Sequence, residues 1–209
     1  MIKPGLAVVI SSPSGTGKTT ICHQLIERFH NYQYSISATT RPPRGNEQNG
    51  VDYIFMPPAE FQKAKENKEF IETAEYVGHW YGTPKKPLVE AIENGKIILL
   101  DIDIQGGRSI KQTLPEAITI FLIPPDLHEL EMRLRGRRTE DDTSIKKRLQ
   151  RAAEELKVWN EYDFVVVNDE LSRAVEAVAN IVRVEQMKTM RLNNKKYWGK
   201  NLSDLLGLS

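Results

Sequence analysis

The 209-residue chain has a single cysteine, almost no net charge and no long apolar run. Each shortage excludes something. A lone Cys22 rules out an intrachain disulfide, and its place on a helical segment behind a glycine loop suits a small packed apolar residue. A formal net charge of +1 exerts no general pull on nucleic acid or an anionic membrane, so electrostatic recognition has to be local. No span of about 20 apolar residues is present, and no secretory apolar core. The first apolar run begins so near Met1 that little room is left for a targeting peptide. Internal repeats and low-complexity tracts are also missing. These absences lead us to expect a soluble, cytoplasmic protein without nucleic acid or membrane partners; they do not choose between a monomer and a homodimer. The length suits one α/β domain over 1–209, large enough for a substantial core.

What is present is organised around Leu6-Ala-Val-Val-Ile-Ser-Ser-Pro-Ser-Gly-Thr-Gly-Lys-Thr-Thr20. The run Leu6 to Ile10 reads as a buried parallel strand. From Lys18 on, Ile21, Leu25, Ile26 and Phe29 are spaced as on one helix face. Strand, glycine loop, Lys-Thr and helix together form a phosphate-binding loop. Gly15 and Gly17 let backbone N–H groups turn towards phosphate oxygens, which the helix N-terminus also attracts. We assign Ser14, Gly15, Thr16, Gly17, Lys18, Thr19 and Thr20 to the bound triphosphate. Lys18 can reach the β and γ phosphates, and the Thr19 hydroxyl can ligate Mg²⁺. Ser12 stands where the motif ordinarily begins with glycine. An ordinary glycine turn capping a helix is the plain alternative, but it does not call for Lys18-Thr19 at this junction.

Further along, Ser35–Thr40 alternates like a short strand and leads into an irregular Pro- and Gly-rich segment from Arg41 to Gly50. Asp52–Met56 is strand-like, Pro57–Lys68 reads as a helix with Phe61 and Ala64 inward, and Glu69–Val77 as a strand ending at Gly78. His79–Gly82 is expected to turn the chain. Residues 35–83 thus form a polar, β-rich lobe inserted in the main domain, a natural seat for a second substrate. A helix over Leu88–Asn94 follows, closed by Gly95, with Pro84 and Pro87 in its first turn. Ile97–Asp103 reads as an apolar strand ending in carboxylates, and Ile118–Ile123 as another buried strand. Asp126 is expected to cap a helix holding Leu127, Leu130 and Leu134. A long helix from Thr143 to Asn160, a strand Phe164–Asn168 and a closing helix Leu171–Met190 complete the pattern. Strands alternating with helices predict a parallel sheet covered on both faces, with ligand outside the carboxyl ends of its strands.

Asp101 ends an apolar strand as a Mg²⁺-binding carboxylate does in phosphate-loop proteins, although such a residue can also merely cap the next turn. Asp103, two residues on, would share its face of the strand. Arg41 and Arg44 bracket a rigid Pro-Pro, and guanidinium forks bind phosphate bidentately. Tyr53 and Tyr81 in the same lobe can add hydroxyl donors. Arg133, Arg135, Arg137, Arg138 and Arg148 flank the acidic run Glu140–Asp142; the segment 135–148 is read as a lid that brings arginines over a transferring phosphoryl group. A solvated charge run is the plainer alternative.

Beyond these readings, the chain closely resembles the guanylate kinases. The resemblance runs from Leu6 to about Met187 on Ser12-Pro-Ser-Gly-Thr-Gly-Lys-Thr19, Ser37-Ala-Thr-Thr-Arg-Pro-Pro-Arg-Gly45, Gly50-Val-Asp-Tyr53, Phe70-Ile-Glu72, Tyr81-Gly-Thr83, Leu100-Asp-Ile-Asp-Ile-Gln-Gly106 and Val167-Asn-Asp169. Ser12 is usual in that family. The resemblance implies Mg²⁺-dependent phosphoryl transfer from ATP to GMP, and by extension to dGMP. It implies that Ser37, Glu72, Thr83 and Asp103 bind guanine with Asp101 nearby, and that Arg41, Arg44, Tyr53 and Tyr81 hold the GMP phosphate. Lys18, Arg44, Arg137 and Arg148 become the catalytic cations, Thr19 and Asp101 the metal ligands, and Asn168 with Asp169 neighbours of the ATP adenine. Guanine presents N1–H and its N2 amino group to a carboxylate at Glu72, whereas adenine presents an acceptor. Arg138, Pro84, Pro87 and Trp80 depart from the family's usual residues. Two rivals fit less well. A ribose bisphosphate kinase would have no guanine edge for Glu72 and Ser37 to read. A catalytically dead protein-binding relative would not need an intact Gly17-Lys18-Thr19.

Overall fold

The computed structural model describes residues 5–136, 142–188 and Arg191. Strand β1 (Leu6–Ser11) runs into helix α1 (Lys18–Arg28), followed by β2 (Tyr32–Tyr34), β3 (Ala38–Thr39) and β4 (Ile54–Phe55). Then come α2 (Pro58–Glu66), β5 (Phe70–Tyr76), β6 (His79–Pro84), α3 (Lys85–Glu93), β7 (Ile97–Asp101) and α4 (Ile104–Thr113). The chain continues through β8 (Ile118–Ile123), α5 (Leu127–Gly136), α6 (Asp142–Leu156), β9 (Phe164–Val167) and α7 (Leu171–Glu185).

Five strands form a wholly parallel sheet in the order β2-β7-β1-β8-β9. The alternation of side chains along β1 explains the two layers of core. Leu6, Val8 and Ile10 face Ile21, Cys22 and Leu25 of α1 and Val175, Val178 and Val182 of α7. Ala7 and Val9 face the other way, onto Leu88 and Ile92 of α3 and Ile110 of α4. With both faces covered, the central strands are apolar throughout rather than alternating, as a buried parallel sheet requires. Burial pushes the Cys22 thiol up to about 12, with the Asp101 charge adding to the shift, so it packs as an inert apolar group.

A second sheet, β4-β3-β6-β5, stands beside the first; β3 and β4 are parallel and the other pairs antiparallel. Helix α2 closes one side through Phe61, fully buried and stacked on Phe70 with ring centroids 4.6 Å apart.

Several expectations need correction. His79–Gly82 is not a turn but the start of β6; the reversal is made by Val77 and Gly78, both at positive φ. Strand β7 stops at Asp101, and Asp103 is no longer on a strand face: it caps α4, its Oδ1 accepting from the Gly106 N–H at 2.8 Å. Helix α4 itself, and the short edge strand β2, were not anticipated. The Ser35–Thr40 strand shrinks to two residues, and Leu127 is exposed rather than packed inside α5. The helix expected over Thr143–Asn160 ends at Leu156, with a single 3₁₀ turn at Trp159–Glu161, and the closing helix ends at Glu185. Among the described residues, no helix is long and apolar enough to cross a membrane.

Candidate active site

At the carboxyl end of β1 the chain bends through a loop that needs glycine at two points. Gly15 and Gly17 have φ of 96° and 95°, which side-chain-bearing residues rarely adopt. Space is tight as well: a Cβ at Gly15 would lie 2.7 Å from Leu134 Cδ2, and one at Gly17 2.7 Å from Asn168 Nδ2, so those side chains would have to shift. Between them Thr16 turns inward, fully buried, its hydroxyl donating to the Pro13 carbonyl at 2.8 Å. The Thr16 carbonyl in turn accepts from Asn168 Nδ2 at 2.6 Å and from Arg133 Nη1 at 3.4 Å. Arg133 Nη2 also donates to the Asn168 carbonyl at 2.9 Å. The loop is thus braced from behind by β9 and α5, and its concave side is left open.

That open side leads to α1. Lys18 Nζ lies 3.0 Å from Asp101 Oδ1 and donates to the Ile102 carbonyl at 2.9 Å. The Thr19 hydroxyl donates to Asp101 Oδ2 at 2.8 Å. The end of β7, adjacent to β1 in the sheet, therefore brings Asp101 to the first turn of α1, which is why residues 82 positions apart meet. Around them is a cavity of about 450 Å³ lined by Ser12 to Thr20 together with Tyr76, Asp103, Arg148, Arg151 and Glu155. Arg148 reaches in from α6, its Nη2 donating to Ser14 Oγ at 2.5 Å.

A second cavity of about 200 Å³ adjoins the first, and Asp103 and Tyr76 line both. Ser37, Tyr53, Glu72, Tyr81 and Asp101 line the rest with Ala74, Ile102 and Gly106. Glu72, Ala74 and Tyr76 alternate along β5 and so share a face. Glu72 is 7% exposed and accepts a 2.7 Å hydrogen bond from the fully buried Thr83 hydroxyl. Burial pushes its carboxyl up to about 7; the Thr83 hydrogen bond opposes the shift, and the nearby Asp103 charge adds to it. The Tyr53 and Tyr81 rings meet edge to face at 6.1 Å. Arg41 is buried over Tyr53, whereas the Arg44 side chain is exposed.

The sequence-predicted residues thus divide by place. Ser14 to Thr20 and Arg148 gather at the first cavity, Ser37, Tyr53, Glu72, Tyr81 and Asp101 at the second, and Asp103 lines both. Asn168 stands behind the loop with its amide turned to Thr16, and Asp169 is exposed beside Arg173 at 3.4 Å. Arg137 lies outside the described residues, as do Arg138 and the acidic residues Glu140 and Asp141. Tyr76, Arg151 and Glu47 drew no attention in the sequence. Tyr76 was recoverable from its position four residues beyond Glu72 on an alternating strand. Arg151 and Glu47 carry only charge as a signal.

The hard oxygen donors of Thr19 and Asp101, converging beside an open phosphate loop, suit Mg²⁺ held by one or two protein groups with phosphate and water completing its shell. Among the described residues there is no cluster of three or more His, Cys, Asp or Glu that could hold a metal.

Comparison with known proteins points in one direction. The family model described as guanylate kinase matches residues 5–185. The guanylate kinase of Myxococcus xanthus (strain DK1622) is 44% identical over 197 residues, 94% of each chain. That of Carboxydothermus hydrogenoformans is 44% identical over 189 residues, 90% of this chain and 93% of its relative. The crystal structure of guanylate kinase from Anaplasma phagocytophilum superposes with a TM-score of 0.74 at 36% identity, covering 90% of both chains.

Proposed function

Because the chain belongs to the guanylate kinase family, we propose that it transfers the γ-phosphoryl group of ATP to GMP, giving ADP and GDP. The observation that carries this reading is the pair of adjoining cavities. One is walled by a phosphate loop, the other by a buried carboxylate, and they meet at Asp103 and Tyr76. ATP phosphates lie along the N–H groups of Ser14 to Thr20, with the adenine towards Asn168 and Asp169. GMP occupies the smaller cavity. Ser37, Thr83 and Asp103 surround the base, and Arg41, Arg44, Tyr53 and Tyr81 take its phosphate. The deoxy nucleotide dGMP follows the same path.

Glu72 names the base. Its carboxylate accepts from guanine N1–H and N2–H, while Thr83 holds one of its oxygens in place. Adenine offers an acceptor where guanine offers N1–H, and a site built to pair a required group rejects an analogue lacking it by about 10⁴–10⁵. The acceptor phosphate is already an anion, so no general base is needed. Lys18, Arg44, Arg137 and Arg148 align the reactants and offset the charge of the migrating group. Thr19 and Asp101 would hold Mg²⁺, which would supply further charge neutralisation. Closure of the 135–148 segment and the 35–83 lobe over the substrates keeps water from the reacting centre. Drawing on ATP and GMP, the enzyme works in the cytoplasm with small molecules as partners.

A nucleoside monophosphate panel with ATP and Mg²⁺ tests reaction and base choice together. GMP should be turned over and AMP, CMP and UMP scarcely touched; preference for any of those three overturns the assignment.

A further inference from the structure

Arg41, the buried arginine of the acceptor lobe, is already engaged. Its Nη1 and Nη2 donate to the two carboxylate oxygens of Glu47, each at 2.9 Å, in a bidentate pair. Nη1 also donates to the Pro42 carbonyl at 2.7 Å. Three of its five N–H groups are thereby used, and the Tyr81 hydroxyl takes a further side-chain hydrogen bond from the same guanidinium. The same Glu47 carboxylate accepts from the Arg44 main-chain N–H at 2.8 Å, and the Glu47 N–H donates back to the Arg44 carbonyl at 3.1 Å. One side chain therefore fastens both arginines of a segment that has no regular structure of its own.

We infer that Glu47 is a positioning residue for the acceptor phosphate: it neutralises Arg41, orients it beside Tyr81, and fixes the backbone that carries Arg44. Two physical arguments support this. A guanidinium only 5% exposed needs a permanent counter-charge, since leaving it unpaired in the interior is strongly destabilising. A carboxylate also aligns the fork as an amide cannot, because glutamine offers one acceptor oxygen and a donor that opposes the second N–H. The inference rests on the proposed role of Arg41 as a ligand of the GMP phosphate.

The test is steady-state kinetics at saturating ATP with Glu47→Gln, Glu47→Asp and Arg41→Met, alongside binding of guanosine, which has no phosphate. Glu47→Gln should raise the KM for GMP about tenfold, in line with loss of a charge-assisted hydrogen bond, while the KM for ATP and guanosine affinity hold. Glu47→Asp, which keeps the charge, should recover part of the loss. In an Arg41→Met background the further change Glu47→Gln should add little. An unchanged or lowered KM for GMP in Glu47→Gln overturns the inference, the latter because it would make Glu47 a competitor of the phosphate. An equal loss of guanosine affinity overturns it as well, by showing general damage to the lobe. If Arg41→Met alone leaves the KM for GMP unaltered, the role of Arg41 fails first and the inference goes with it.

Discussion

A carboxyl group withdrawn from water beside another acid resists losing its proton, and Glu72 is such a group. Its folded-state pKa of about 7 lies above the ordinary 4.5. The native protein thus binds this proton more tightly than the unfolded chain does. The resulting contribution to stability is complete below about pH 4.5 and is lost as the pH rises through about 7. At higher pH, keeping the empty site ionised costs about 3 kcal/mol. Guanine donors favour the ionised form, so binding of GMP below pH 7 should expel a proton. Calorimetry at pH 6.5 in buffers of different ionisation heat should register that release in the wild type and not in Glu72→Gln. The apparent GMP affinity should weaken as pH falls below about 7; proton uptake on binding would contradict the role given to Glu72. For Lys18, paired with Asp101 at 3.0 Å, Lys18→Ala should lower kcat by about 10²–10³. Full turnover in that variant would remove Lys18 from the mechanism.

At the scale of single elements, the hairpin between β5 and β6 shows both a weakness and a limit of sequence reading. Val77 and Gly78 form its two-residue turn with φ of 51° and 74°. A β-branched residue fits the first position poorly, and Asn or Asp is the usual choice before such a glycine. Val77 is 76% exposed, so nothing in the packing holds it there. Val77→Asn should therefore stabilise the fold by about 1 kcal/mol in urea denaturation, without altering kinetics. The same unusual turn is why His79–Gly82 reads as the bend: Gly82 attracts attention that belongs four residues earlier, at Gly78. Helix α4 is hidden for a related reason. Gly106 and Gly107 in its first half look like a loop, yet a Cβ on Gly107 would lie 3.1 Å from both Ser11 Oγ and Tyr162 OH, so Gly107 permits close packing against β1. The long apolar strands and the phosphate loop were legible because their periods and spacing depend on local chemistry. The bracing of Thr16 by Asn168 and the clamp on Arg41 were not, because each depends on where distant or irregular segments come to rest.

Across the whole molecule, α6 reaches the smaller sheet at Tyr76, a residue that lines both cavities. Arg151 of α6 lies over the Tyr76 ring at 5.3 Å and donates to its hydroxyl at 3.3 Å, joining the helical arm to the smaller sheet. Ligands that engage both parts should then reinforce one another. GMP at a hundred times its Kd should stabilise the protein by about 2.7 kcal/mol, and a non-hydrolysable ATP analogue likewise. Together they should raise Tm by more than the sum of their separate effects, and Tyr76→Val should reduce that excess. Strict additivity in the wild type would show the bridge to be idle.

The strand order carries a consequence for how the chain comes to be folded. β1 lies in the middle of the sheet, between β7 and β8, yet its partners follow roughly 90 to 110 residues later. At about 5–20 residues per second, synthesis leaves the phosphate loop waiting for some 5–20 s before both neighbours of its strand exist. Such long-range pairing is also intrinsically slow. The nucleotide-binding loop is therefore among the first segments made and among the last to acquire its shape. A nascent chain arrested before β8 should have no ordered triphosphate site to offer.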